Sequence, residues 1–473
     1  MNIKIGLEIH CQLTGLKSKL FCSCPTDYRS RQPNANVCPI CLGLPGTLPL
    51  LNKKALEYAL MISLALKCRI PDTVSFYRKN YFYPDLPKNF QITQYNSYQI
   101  SSMGSNGSVN FDHSKVRIRR VQLEEDPGRL VYESGMETSL YTLVDYNRAG
   151  VALAEIVTEP DFDEPKEVRL FLNKLASMLE HLGICDTKLD GAVRCDANIS
   201  LADGKKVEIK NVGSFKEVEK ALMFEISRQK SLGTKGIKVK AETRHWDDIR
   251  RITIQSRTKE EEEDYRYFPE PDIPAVSLGS ELIDSLTEQM PELPDARKSR
   301  FIEKFGLSEQ TAQVLIDDKD MADFFEEGAK LYDNAKEIAN WIVTDLKGFI
   351  NEVDGIRSLN IKPTHIAELA KLVDQSDISR NTAKQILQQI VKSGEMPSEV
   401  MKKLKATKIS DEEGLAEIID AVFAKETSAV QDALKNEKAI NFLLGKVIQS
   451  TKGRADPKLA TELIRKKLAS IST

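Results

Sequence analysis

Between Arg120 and Phe162 the chain reads RVQLEEDPGRLVYESGMETSLYTLVDYNRAGVALAEIVTEPDF, and this stretch limits the fold more than any other. Four runs rich in Val, Leu and Tyr are separated by the turn signals Asp126-Pro127-Gly128, Ser134-Gly135 and Asn147-Arg148-Ala149-Gly150. Pro and Gly supply turn dihedrals and the runs suit a pleated, half-buried surface, so an antiparallel meander is predicted. The acids fall in unusual places. In Val151-Ala152-Leu153-Ala154-Glu155-Ile156-Val157, Glu155 has apolar neighbours on both sides. A carboxylate there must be ion-paired, bound to a metal or pushed towards neutrality, because an isolated buried charge is too costly.

A chain of 473 residues is too long for one ordinary domain, and two to four are expected. The net charge of −3 excludes a uniformly basic nucleic-acid coat, and no apolar run approaches the roughly 20 residues of a membrane helix. The strand-like pattern begins at Ile3 with no signal or transit segment before it, so a cytoplasmic protein without a membrane partner is expected. Four of the eight cysteines are clustered, as Cys22-Ser23-Cys24 and Cys38-Pro39-Ile40-Cys41. Two close pairs separated by a loop can close a tetrahedral thiolate site. A structural zinc ion on Cys22, Cys24, Cys38 and Cys41 is therefore expected, four reduced cysteines near a turn being the plainer reading.

Up to about residue 290 many short strands alternate with three segments of helical period, at 53–67, 164–182 and 215–231. After Met290-Pro291-Glu292-Leu293-Pro294 the pattern is almost wholly helical. Helix starts are marked at Leu307-Ser308, at Ile361-Lys362-Pro363-Thr364, and by the capping-box pattern Ser410-Asp411-Glu412-Glu413. The predicted class is α+β: a domain over 1–292 with an antiparallel sheet, an all-α domain over 293–405 and a small all-α tail over 406–473.

Alternation in the first strand puts Ile3, Ile5, Leu7, Ile9, Cys11 and Leu13 on one face, and Glu8, His10 and Gln12 on the other. Val193 to Ser200 repeats the design, with Arg194, Asp196, Asn198 and Ser200 on the polar face, and Val207 to Asn211 presents Glu208 with Lys210. Carboxylates with an imidazole suit Mg²⁺ or Mn²⁺, and bases neutralise phosphoryl charge. A polar outer face of an amphipathic sheet is the bland alternative for any one strand. The run Arg78 to Asp85, and likewise Tyr265 to Asp272, can grip a phosphate or stack on a base, or can be a packed aromatic strand with a basic rim. His113, His181, His245 and His365 have no motif context. A P-loop, a Gly-x-Ser-x-Gly elbow and a Gly/Ser-rich amidase segment are all absent, so nucleophilic acyl hydrolysis has no visible home. Residues 401–473 carry 14 Lys/Arg against 10 Asp/Glu. Lys446, Lys452, Arg454 and Lys458 in that tail fit a phosphate-backbone contact or a solvated helix face.

Seven motifs, in order, give the sequence a family resemblance: Gly6 to His10, Arg78 to Asp85, Leu123 to Asp126, Leu143 to Arg148, Glu155 to Asp161, Arg194 to Ser200 and Asp264 to Asp272. Together they resemble the B subunits of aspartyl/glutamyl-tRNA amidotransferases, over essentially the full length. The resemblance implies a glutamine synthetase-like cradle, a helical linker domain and a helical tail that contacts tRNA. It implies ATP-dependent activation of the side-chain carboxylate of misacylated Glu-tRNA(Gln) or Asp-tRNA(Asn). Amidation by ammonia from an amidase A subunit follows, with a small C subunit completing a heterotrimer. Glu8, His10, Glu125 and Glu155 match the family's Mg²⁺ region, and Asp196 is a further candidate. Periodicity does not choose between Glu124 and Glu125; the resemblance implies Glu125. Lys79, Arg194 and Lys210 are the expected phosphate or carboxylate contacts. A related archaeal subunit restricted to Glu-tRNA(Gln) carries a large extra domain for which this chain has no room. The competing class is a zinc-stabilised tRNA-binding scaffold without catalysis.

Overall fold

The computed structural model describes residues 3–96, 101–133, 139–201, 204–210, 212–257, 262–353, 355–404, 412–436, 439–451, 455 and 457–471. It divides into two compact units, 1–296 and 297–473.

The first unit begins with β1 (Ile3–Gln12), α1 (Lys53–Ala65), β2 (Thr73–Val74), β3 (Tyr77–Asn80) and β4 (Phe90–Thr93). The chain continues through β5 (Gly104–Phe111), β6 (Ser114–Glu125), β7 (Arg129–Val131), β8 (Leu143–Asp145) and β9 (Ala152–Thr158). Then come α2 (Pro165–His181), β10 (Val193–Leu201), β11 (Val207–Lys210), α3 (Phe215–Thr234), β12 (Glu242–Asp247) and β13 (Ile252–Arg257). Short strands β14 (Phe268–Pro269) and β15 (Val276–Ser277) and helix α4 (Ser280–Gln289) complete it. All three helices expected from periodicity are present; the starts at Lys53 and Phe215 coincide with the expected ones and the other ends differ by one to three residues.

Eight strands form one twisted sheet in the order β13-β12-β11-β10-β1-β9-β6-β5. Every neighbouring pair is antiparallel except β11 with β12. The α+β expectation holds; the meander does not. β6 pairs with β9, while β7 and β8 pair with each other as a separate ribbon between them. The four runs are therefore a hairpin nested inside a longer one. Turn signals identify where a chain reverses but not which strand it meets next, because pairing is fixed by non-local packing.

Alternation along β1 is realised in full. Ile5, Leu7, Ile9 and Cys11 are buried against α1, α2 and α3 in a core shared with Val121, Leu123, Ile156 and Ile199. The opposite face is the polar one. A second layer lies over part of it: the three-stranded sheet β14-β3-β4. Asn52 caps α1 by accepting from the backbone N–H groups of Lys54 and Ala55, while its own amide donates to Ser18. The cysteine-bearing segment is thus tied to the first helix.

The second unit is helical, from the body of α5 (Pro294–Phe305) through α6 (Glu309–Ile316), α7 (Lys319–Leu331), α8 (Ala335–Asn340), α9 (Lys347–Ile350), α10 (Pro363–Asp374), α11 (Arg380–Ser393) and α12 (Pro397–Lys403). It ends with α13 (Glu412–Lys425), α14 (Thr427–Lys435), α15 (Ile440–Ser450) and α16 (Pro457–Ile471). Two separate apolar clusters occur in it, one over Phe301–Val400 around Trp341 and one over Leu415–Leu468. Ser308 caps α6 and Pro363 opens α10, where His365 accepts from the Lys362 N–H. The capping-box serine, Ser410, lies outside the described residues. Among those described, no helix is long and apolar enough to cross a membrane.

Candidate active site and metal centre

The polar face gathers its charge where β1, β6 and β9 lie side by side. Register sets His10 opposite Glu155 and Glu8 opposite Asp196, with Gln122 on the far side of Glu155. His10 Nε2 lies 3.4 Å from Glu124 Oε1, 3.7 Å from Glu8 Oε1 and 3.7 Å from Glu155 Oε2. Arg120 approaches Glu155 from β6 at 3.6 Å. Glu155 is only 7% exposed, so the carboxylate that the sequence left among apolar neighbours is held by an imidazole and a guanidinium.

The charges of these groups are interdependent. Burial works against an imidazolium at His10, but the carboxylates of Glu155, Glu124 and Glu8 outweigh it and raise its pKa to about 9. Burial also opposes charge on Glu155, yet His10, Arg120 and Lys79 together lower it to about 2. Glu124 is raised to about 7 by burial and by the Glu155 charge, and Glu8 is raised by the same two causes. Three carboxylates around one imidazole persist only with positive charge among them. Donor atoms of Glu8, His10 and Glu155 all lie within 4.8 Å of one another, so one ion can be reached by all three. Carboxylate oxygens with a single ring nitrogen fit a hard divalent cation.

A cavity of about 710 Å³ opens beside this cluster. Glu8, Glu124 and Glu155 line it, as do the cations Lys79, Arg120 and Lys210. At the Lys79 end the wall is aromatic. The ammonium lies 4.6 Å from the Tyr265 ring centroid, and Tyr267 stacks on Tyr95 with centroids 4.1 Å apart. Burial alone would lower the Lys79 pKa, but Tyr267, Tyr81, Glu124 and Glu155 hold it above the ordinary lysine value. Arg78, its neighbour on β3, is engaged elsewhere, in a bidentate pair with Glu270 at 2.7 and 2.9 Å. The Arg78–Asp85 run thus has both readings at once: one base packed, the next facing the cavity.

The remaining expected residues divide. Lys210 donates to Asp196 at 2.6 Å and lies on the cavity wall. Arg194 turns away to Asp126, at 2.8 Å, in a buried knot that also includes Gln12 and Arg148. Glu125 is not brought into the carboxylate cluster. It shares strand parity with Val121 and Leu123, which point into the core, and its carboxylate accepts from Lys88 at 2.7 Å and from the Ile92 N–H at 2.8 Å. Glu124, one residue earlier, faces His10 instead. The parity of Arg120, Gln122 and Glu124 on β6 was the available signal for that residue. Asp126 had none, since its partners come from three other segments. Lys446 is paired with Glu426 at 2.9 Å, and Lys458 opens α16. Lys452 and Arg454 lie outside the described residues.

The four cysteines form a second cluster. Sulfurs of Cys22, Cys24, Cys38 and Cys41 all lie within 4.8 Å of one another, and no disulfide joins them. One of them favours the thiolate: Cys38 N–H donates to Cys41 Sγ at 3.1 Å, and Cys41 is lowered to about 5, first through its contact with Cys22, while that same contact raises Cys22 and burial raises Cys24 to about 11. Four soft donors converging on one point fit a closed tetrahedral zinc site. Gly150, at φ +86°, carries the β8–β9 turn past Cys41 in a conformation that L side chains rarely adopt.

Comparison with known proteins agrees with this architecture. Residues 3–284 match the family model described as the GatB/GatE catalytic domain, and residues 323–468 match the GatB domain. The chain is 48% identical over 475 residues to the aspartyl/glutamyl-tRNA(Asn/Gln) amidotransferase B subunit of Sulfolobus acidocaldarius, covering 98% of this chain and 99% of that one. The protein of the same name from Carboxydothermus hydrogenoformans is 43% identical, covering 99% and 98%. That from Thermotoga maritima is 44% identical, covering 98% of each. With both domains matched and identity sustained from end to end, the chain belongs to the GatB/GatE family of tRNA-dependent amidotransferase B subunits.

Proposed function

We propose that this chain is the subunit that activates and amidates the side-chain carboxylate of Glu-tRNA(Gln), Asp-tRNA(Asn) or both. It works with an amidase partner that supplies ammonia and a small third subunit, in the cytoplasm. The observation that carries the reading is the Glu8–His10–Glu124–Glu155 cluster beside a cavity lined by Lys79, Arg120 and Lys210.

In this reading Glu8, His10 and Glu155 hold Mg²⁺, with Glu124 beside them. When bound, the ion draws negative charge from the ATP phosphate oxygens. Lys79 and Lys210 both line the cavity, where they bind and orient phosphate or carboxylate oxygens and neutralise charge developing in transfer. Arg120 keeps Glu155 ionised. The substrate carboxylate oxygen attacks the γ-phosphorus, the bond to the ADP oxygen breaks, and an acyl phosphate remains. Ammonia then attacks the acyl carbon, phosphate leaves, and nitrogen gives up a proton to yield the amide. Arg194, fixed by Asp126, acts by tying the start of β10 to the end of β6 rather than by touching substrate. Cys22, Cys24, Cys38 and Cys41 hold a structural zinc ion. The basic tail, with Lys446, Lys452, Arg454 and Lys458, contacts tRNA backbone.

The test is amide formation on Glu-tRNA(Gln) with ATP, Mg²⁺ and ammonium chloride, using this chain with its two partners. Ammonium bypasses glutamine hydrolysis. Product is expected with the wild type, and H10A is expected to lose it while retaining tRNA binding. Unimpaired product with H10A would instead favour a tRNA-binding scaffold role for the chain.

A further inference from the structure

Lys19 occupies a place that lysines rarely do: its exposure to solvent is 0%. An ammonium ion so deeply buried is costly unless an anion faces it. Its Nζ donates to the Asn36 carbonyl oxygen at 2.8 Å and reaches Cys41 Sγ at 3.9 Å. Among the described residues no carboxylate forms an ion pair with it. The nearby Glu125 carboxylate is already engaged by Lys88 and the Ile92 N–H. The compensating charge therefore falls to sulfur.

The arithmetic of the cluster points the same way. Four thiolates on a divalent ion leave two negative charges, at a cluster whose Cys24 and Cys38 are half-buried and whose Cys22 and Cys41 are buried. An ammonium beside one sulfur removes one of those charges. Lys19 is also held in position for this. Its N–H donates to the Cys24 carbonyl at 2.9 Å, and the following residue, Leu20, donates to Gly150 at 2.9 Å. Asn36, its other partner, is fixed in turn: its N–H donates to Asn147 Oδ1 at 2.6 Å and its side chain to the Pro25 carbonyl at 2.9 Å. Chain on both sides of the cysteine loop thus directs one cation at Cys41.

We propose that Lys19 is the built-in counter-charge of the four-cysteine metal centre and sets how firmly the ion is held. The inference rests on the metal occupancy proposed above. It makes Lys19 a positioning residue, outside the reaction itself.

The experiment compares the wild type with K19M, which keeps the length and removes the charge, and with K19R, which keeps the charge. Zinc content by elemental analysis comes first, then the rate of zinc release to a chromogenic chelator, then thermal unfolding of the loaded and stripped proteins. K19M is expected to release zinc roughly 10-fold faster than wild type, the size of effect usual for a group that supports metal ligands. K19R is expected to stay close to the wild type. The stability lost in K19M is expected to be larger in the loaded protein, where Lys19 would face two net negative charges, than in the stripped protein, where the Cys41 thiolate is its anion. A lysine that only fills space would cost the same in both states. Equal release rates for K19M and wild type would overturn the proposal, as would an equal loss of stability in both states. If K19M does not fold, K19R decides: retained zinc supports the charge role and lost zinc contradicts it. A wild-type protein that neither contains nor takes up zinc would remove the metal centre itself, a separate failure visible at the first step.

Discussion

The molecule holds two ligand clusters built on opposite plans. The cysteines come from one segment of 20 residues, Cys22 to Cys41, closed by turns and tied to α1. The carboxylate cluster is assembled from β1, β6 and β9, with residues as far apart as Glu8 and Glu155. Their compensation differs too. Beside the sulfurs sits a lysine with no access to solvent. Among the carboxylates the positive charge is shared by the imidazolium of His10 and the Arg120 guanidinium, and in the proposed reading His10 becomes a ligand once it gives up its proton. A permanent counter-charge suits an ion that stays; a titratable one suits an ion that exchanges with each turnover. In the proposed reading the sulfur site is closed by four protein ligands, whereas the three donors Glu8, His10 and Glu155 leave room for substrate oxygens.

This contrast can be broken most severely at the carboxylates. E155Q and H10A are each expected to lower ATP-dependent amide formation by at least about 100-fold, with tRNA affinity within about 2-fold of wild type, read by product assay and filter binding. Removing the metal from the cysteines should act on stability instead. C41S is expected to lower zinc content and the unfolding temperature markedly, by calorimetry, with a chelator doing the same to wild type. Glu124 and Glu125 sharpen the comparison further. E124Q should weaken Mg²⁺ binding to the cluster by roughly 10-fold, measured by titration with Mn²⁺ as probe, while E125Q leaves it nearly unchanged. An equal loss in both would place Glu125 in the cluster after all. Proton linkage gives a gentler test. In the unloaded protein His10 is protonated below a pKa of about 9, and ligation requires it neutral. Metal affinity should therefore rise with pH up to about 9, with at least about one proton released per ion at neutral pH, from His10 and in part from the raised carboxyls of Glu124 and Glu8, seen by calorimetry in buffers of different ionisation enthalpy. The smallest effect is expected in the tail. K446A with K458A should reduce tRNA affinity a few-fold and lessen its salt dependence, because each phosphate contact contributes little alone.

Legibility in the sequence followed the locality of each feature. The cysteine cluster is a spacing pattern, and its four sulfurs do converge. The polar face of β1 could be read from alternation alone, because a period of two is a property of the strand by itself. Glu155 was marked as anomalous by its neighbours, but its partners were not, since they depend on which strands pair. The same limit explains the nested hairpin mistaken for a meander and the parallel β11–β12 pair. Choosing Glu125 over Glu124 went against strand parity: Leu123 is core, so its second neighbour points the same way and Glu124 the other. Lys19 could not be singled out at all. A lysine between Ser18 and Leu20 reads as surface until the fold closes over it.

The central claim is that the Glu8–His10–Glu155 cluster performs carboxylate activation, and trapping the activated carboxylate tests it most directly. The complex would be given Glu-tRNA(Gln), ATP and Mg²⁺ with no ammonia donor, and hydroxylamine would be added to capture an acyl phosphate as the hydroxamate. The account predicts ATP-dependent hydroxamate on the tRNA with wild type and almost none with E155Q or H10A, although both bind tRNA. Equal hydroxamate yields from these variants would contradict it, and would place activation elsewhere in the complex.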